Sequence, residues 1–161
     1  MPDIPGLVRK GYSLLVRTGN ALQSPFLLAV RVCWGWQFFQ TGRGKLGDLE
    51  KVAGFFADLH IPLPKVNALL AGSTECFGGL LLLVGLASRL TALPLIFTMI
   101  VAYATAEREA LNVLFSNPDK FFSAAPFLFL FAALIVLIFG PGAFSADHLL
   151  AKKFAAGRSG K

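Results

Sequence analysis

The sequence runs to 161 residues, 55% of them hydrophobic and only 15% charged, whereas a soluble domain carries about 25% charged residues. A soluble fold of this length cannot hide that apolar surplus, which is gathered into long runs. The net charge of +6 lies between those runs and at the two ends, a placement that fits membrane topology and not a nucleic-acid-binding patch.

The start, MPDIPGLVRK, lacks the pattern of a secretory signal, so insertion is expected to use the later helices. Residues 6–20 put Val8, Tyr12 and Leu15 on one helical side and Arg9, Lys10, Ser13 and Arg17 mostly on the other. This segment reads either as a helix lying on the membrane surface or as a tail without structure. Ser24 and Pro25 then supply a cap and a first-turn proline for a first span over residues 26–42, interrupted by Arg31 alone. Leu49, Val52, Phe56 and Leu59 recur at helical spacing and predict an amphipathic loop helix over 47–59, with His60 before Ile61 and Pro62 as its terminator. The second span covers 66–86 and holds one charge, Glu75, and a turn through Ala87 leads directly to the third, 90–106. Asn117, Pro118 and Asp119 open the fourth, 121–139, which Gly140, Pro141 and Gly142 end. Ser145 is placed to cap a short C-terminal helix with Leu149, Leu150 and Phe154 toward lipid.

The expected fold is therefore all-α. It is a polytopic membrane four-helix bundle over 25–142, with short amphipathic interfacial helices and cytoplasmic or interfacial segments at 1–24 and 143–161. Arg9, Lys10, Arg17, Arg89 and the C-terminal cations fall on one side of such a bundle and slightly outnumber Arg43, Lys45, Lys51, Lys65, Arg108 and Lys120 on the other. By the positive-inside rule, both termini are expected in the cytoplasm.

Ionisable groups inside a bilayer are expensive and tend to mark function, which singles out Arg31 and Glu75. They do not read as partners, because antiparallel helices enter from opposite sides and hold the two at different depths. Arg31 is expected to reach back toward Asp147, forming one polar cluster with Arg89 and Ser145 at the inner face. Glu75 shares a stripe of small residues, Ala68, Gly72 and Gly79, that lets another helix approach. Without a cation beside it, the carboxyl is expected to be neutral and to bond Gln37, Gln40 or Tyr103. It reads first as an interhelical clamp, with proton handling or a quinone-facing role as the functional alternatives. A lone carboxylate without a neighbouring histidine is a poor metal ligand, so no metal is expected. Cys33 and Cys76 form no CxxC or Cys/His cluster and read as small apolar fillers.

Residues Arg31, Gly35, Phe39, Gly42 and Lys45, the stretch GSTECFGG with Gly72, Glu75, Gly78 and Gly79, the Gly85–Arg89 turn, NPDKF and FGPGAFSAD together resemble the DoxX family of small membrane proteins over about 26–150. The resemblance implies a four-helix bundle in a bacterial inner membrane, often a partner of redox enzymes, with quinone as an implied cofactor. The position of His60 often resembles glycine in that family, and the cysteine pairs of its thiol-disulfide branch are missing here. No self-contained catalytic constellation is present, so the chain is expected to be at most a subunit of an oxidoreductase. The first functional reading is an accessory or anchoring subunit of a membrane redox complex. The alternatives are a proton-linked small-solute carrier and a scaffold, with a protein partner, a redox enzyme or a second copy of the chain, as the expected contact beside the lipid bilayer, and no nucleic acid.

Overall fold

The computed structural model describes residues 4–158, and all regular structure among them is helical. In chain order these helices are α1 (Ile4–Gly47), α2 (Leu49–Asp58), α3 (Pro64–Val84), α4 (Ser88–Thr105), α5 (Arg108–Asn112), α6 (Pro118–Ser123), α7 (Pro126–Phe139) and α8 (Ala146–Arg158). Among the described residues, α3 and α4 are long and apolar enough to cross a membrane, and α7 is apolar but shorter. The first three residues of the expected N-terminal segment and the last three of the C-terminal one lie outside the described residues.

The first helix departs from the sequence reading. A start after Ser24 was the expectation, yet α1 is one helix of 44 residues with Pro25 in its interior. Proline removes a single N–H from the ladder, and residues 6–24 contain no second proline to break the helix again. Ser24 serves elsewhere, its hydroxyl accepting the N–H of Ala143 at 3.2 Å. At about 1.5 Å per residue the helix is about 66 Å long, roughly twice the hydrocarbon thickness of a bilayer.

Leu27, Arg31, Gly35, Phe38 and Gly42 recur at spacings of four and three, and all are buried. This stripe packs on the buried stripe of α3, Ala68, Gly72, Glu75, Gly79 and Leu82. The seam is antiparallel and close, because glycines replace side chains where the backbones meet. A Cβ on Gly42 would lie 2.7 Å from the Cys76 Cα, and one on Gly79 2.7 Å from the Gly35 carbonyl oxygen. α4 packs on α3, α7 on α4, and α7 touches α1 again, closing a circuit around Phe38, Leu82, Leu95, Met99, Ala133 and Val136.

The connections explain the geometry. Gly85, at φ +76°, ends α3 in the left-handed region and returns its N–H to Leu81 O at 2.9 Å, so α4 reverses direction within three residues. Asp48 caps α2, accepting the Lys51 N–H at 3.4 Å, and His60 leaves that helix at φ +58°. That backbone conformation favours glycine.

The fourth apolar segment is not the continuous helix expected over 121–139. Ala124 is extended at ψ 140°, and Pro126 starts α7 afresh, since its missing N–H leaves the Phe122 carbonyl without a ladder partner. Lys120 of α6 bonds Glu109 of α5 at 2.8 Å and holds that carboxyl below the usual glutamate range. A depressed carboxylate contributes above its ordinary range and loses the contribution as pH falls through its lowered value. The α5–α6 tie is therefore expected to be intact at pH 7 and released in acid. Amide protection at residues 108–123, corrected for the intrinsic pH dependence of exchange, falling at low pH in the wild type but already lower at pH 7 in Lys120→Met, would show it.

Candidate functional site

A cavity of about 620 Å³ opens between α1, α2, α3, α4 and the start of α7. Its walls are mostly apolar: Phe55 and Phe56 from α2, Leu70 and Ala71 from α3, Phe97 and Met99 from α4, and Phe129 from α7. Phe55, Leu70 and Phe97 are themselves exposed, so the rim is apolar too. At its polar end stand Lys45 and Glu75.

Lys45 Nζ donates to Glu75 Oε2, with the Glu75 side chain 1% and the Lys45 side chain 30% exposed. The expectation that Glu75 lacks a cation is thereby corrected. Ending the first helix at Gly42 had placed Lys45 in a loop. Because α1 continues to Gly47, Lys45 falls three residues beyond Gly42 and joins the buried stripe. The signal was present in the sequence as Phe38, Gly42 and Lys45, one helical side at i, i+4 and i+7.

The suggested partners of Glu75 are otherwise engaged. Gln37 and Gln40 lie off the buried stripe and are exposed. Tyr103, buried in α4, donates its hydroxyl to Phe121 O at 2.8 Å and stacks on the Phe121 ring at 4.6 Å, tying α4 to α6. Glu75 Oε1 is buried without a hydrogen-bond partner among the described residues.

The second polar centre forms where α8 begins. Arg31, 0% exposed, donates from Nη2 to Phe144 O, while its Nε and Nη1 have no partner among the described residues. Its guanidinium lies against Gly85, where a Cβ would also meet Ser145 Cβ at 2.8 Å. Asp147 accepts the N–H groups of Ala87 at 2.7 Å and Ser88 at 2.9 Å, capping α4 from another element. Ser145 accepts the His148 N–H at 3.2 Å and starts α8. Arg89 turns away from the cluster and donates to Ile138 O at 3.3 Å, where a cation complements the C-terminal end of α7. The structure thus brings Arg31 and Ser145 together against Gly85 and places Asp147 and Arg89 on their flanks, with Asp147 bonded to the α4 backbone and not to Arg31 as expected. Arg31 and Glu75 do not meet. Arg31 lies opposite Gly85 and Glu75 opposite Gly42, about 16 Å apart along the seam at about 1.5 Å per residue.

The two stripe glycines divide similarly. Gly79 faces the backbone of Gly35 and Phe39, whereas Gly72 faces the side chains of Leu46 and Lys45. Gly35 and Gly42, the other half of the seam, were legible as small residues on the face of Arg31.

Comparison with known proteins gives a match to the DoxX family model over residues 26–108, just over half of the chain. That stretch contains Arg31, Lys45, Glu75 and the seam glycines and stops before α7 and Asp147. The chain is also 29% identical, over 144 residues, to Rv3486, an uncharacterized membrane protein of Mycobacterium tuberculosis, covering 82% of this chain and 85% of that one. No solved structure matches.

Proposed function

This chain belongs to the DoxX family of membrane proteins, and on that premise we propose that it is a quinone-binding accessory subunit of a redox complex in a bacterial inner membrane. In this reading α1, α3, α4 and the α6–α7 pair cross the membrane, with both termini cytoplasmic. The carrying observation is the cavity of about 620 Å³, within the range of small-molecule sites, whose apolar walls end on the buried Lys45–Glu75 pair.

Three features fit a quinone. The apolar rim at Phe97 and Leu70 gives a lipid-soluble tail a route sideways into the bilayer. The Phe55, Phe97 and Phe129 side chains offer flat surfaces to a ring. Lys45 and Glu75 supply a cation and a carboxylate at one end, able to orient a ring oxygen and hold a proton there. A quinone supplies two-electron, two-proton carriage when bound. In this reading the electrons pass to or from a separate redox enzyme.

Purification in native nanodiscs, with mass spectrometry of what is retained, tests the reading. A near-stoichiometric quinone is expected with the wild type, falling at least tenfold in Ala102→Phe, which fills the cavity without touching the polar pair. Bulk lipid alone, in wild type and variant alike, would remove quinone binding. A redox enzyme in the same preparation would support the accessory role.

A further inference from the structure

Within the quinone-site reading, on which this rests, the hydrogen-bonding groups of the cavity lean toward acceptors. Hydroxyls that line it are already donating inside their own helices: Thr41 to Phe38 O at 3.0 Å, Thr98 to Pro94 O at 2.9 Å and Thr105 to Val101 O at 2.7 Å. The Asn67 amide donates to Pro62 O at 2.6 Å. The three hydroxyls are left with lone pairs, and Asn67 with its Oδ1 and a second amide N–H. Thr74 is free to turn either way. Glu75 adds Oε1, an acceptor buried without a partner among the described residues. Against them stands one charged donor, the Lys45 ammonium, which keeps two N–H groups beyond the one directed at Glu75.

An oxygen placed at the Lys45–Glu75 end must therefore do two things. It must accept from Lys45 and donate to Glu75. A quinone carbonyl only accepts, and would leave Glu75 Oε1 buried and unmatched, which costs about as much as a lost hydrogen bond. A phenolic hydroxyl donates and accepts on the same atom. We infer that the cavity selects the reduced, hydroquinone form over the quinone, with one ring hydroxyl bridging Lys45 Nζ and Glu75 Oε1. A hydrogen bond to a charged group is worth about tenfold or more in affinity.

The inference is read from a ratio. Wild-type protein in nanodiscs is incubated without oxygen in an equal mixture of a decyl-tailed benzoquinone and its hydroquinone, and the retained forms are quantified against protein-free discs. At least tenfold enrichment of the hydroquinone is expected, equivalent to raising the midpoint of the bound two-electron couple by about 30 mV. In Glu75→Gln the carboxamide N–H can donate to a carbonyl, so the ratio is expected to fall toward unity. A proportional loss of both forms in that variant would mean that Glu75 only holds the cavity open, and would overturn the inference. Quinone retained as well as or better than hydroquinone by the wild type would also overturn it, while leaving the quinone-site reading intact. Retention of neither form above the protein-free discs would end both. The wild-type ratio needs no variant, so it decides even if Glu75→Gln does not fold.

Discussion

Gly79→Ala is expected to open the α1–α3 seam, lowering stability by about 3 kcal/mol or more, the upper end of what over-packing costs. The added methyl would lie 2.7 Å from Gly35 O and against the Phe39 N–H. Both are backbone atoms, so no rotamer change relieves the contact and the two helices must separate. Dispersion falls steeply with separation, so contacts are lost along the seam and not only at residue 79. Gly42→Ala meets the Cys76 and Glu75 backbone in the same way, and the two losses should be less than additive because the first already parts the helices. Gly44→Ala is the control, a glycine of the same helix with nothing within 4 Å of a Cβ. It is expected to be neutral or to stabilise by up to about 1 kcal/mol through helix propensity. Unfolding in mixed micelles, followed by circular dichroism, compares the three. A Gly79→Ala midpoint equal to that of Gly44→Ala would contradict this account of the seam.

The placement of α2, α3 and α4 was legible because long apolar runs and glycine-proline punctuation are local signals, whereas the N-terminal segment and the first span merged into α1, the fourth helix divided into α6 and α7, and α5 carried no such signal. Spans at 66–86 and 90–106 and a loop helix at 47–59 correspond to α3, α4 and α2 within a few residues. The errors at Pro25 and Pro126 share one cause. A proline starts one helix and sits inside another under the same local rules, and packing decides between them. Pro126, after the extended Ala124, begins α7, whereas Pro25 has helix on both sides and a neighbouring loop that engages Ser24.

The candidate site was half legible for a related reason. The burden on Glu75 and Arg31 followed from their charge within apolar runs, and the small residues beside Glu75 pointed to a helix neighbour. Its cation was missed because a boundary error of five residues took Lys45 off the helix. The cavity needs five elements to converge, α2 among them, and no window of sequence contains that information. It also changes the meaning of the clamp. An ion pair lining a cavity has one side toward protein and one toward open space, so the proposed binding role falls on the same two residues as the structural one.

Asp147→Ala should be the most damaging change outside the seam, because one carboxylate answers two separate needs. It satisfies the first N–H groups of α4, at Ala87 and Ser88, where loss of a cap costs about 0.5–2 kcal/mol. Its charge also acts across the cluster on Arg31, a cation wholly removed from solvent, although the two form no ion pair and the Asp147 carboxylate bonds the α4 backbone instead. The half-buried position of Asp147 lets water screen that longer-range attraction, so about 2 kcal/mol is expected in total, most of it the lost cap. Asp147→Asn keeps an acceptor for one N–H and loses the charge, and should fall between the wild type and Asp147→Ala. Arg31→Met separates the two needs. Combined with Asp147→Ala it removes the cation that the carboxylate attracted, so the double variant should be more stable than Asp147→Ala alone and retain only the capping loss. Chemical unfolding gives the energies, and limited proteolysis between α7 and α8 shows whether the C-terminal helix has come away. If Arg31→Met adds its full cost on top of Asp147→Ala, the two residues act independently. The cluster would then be a set of helix caps that happen to be neighbours.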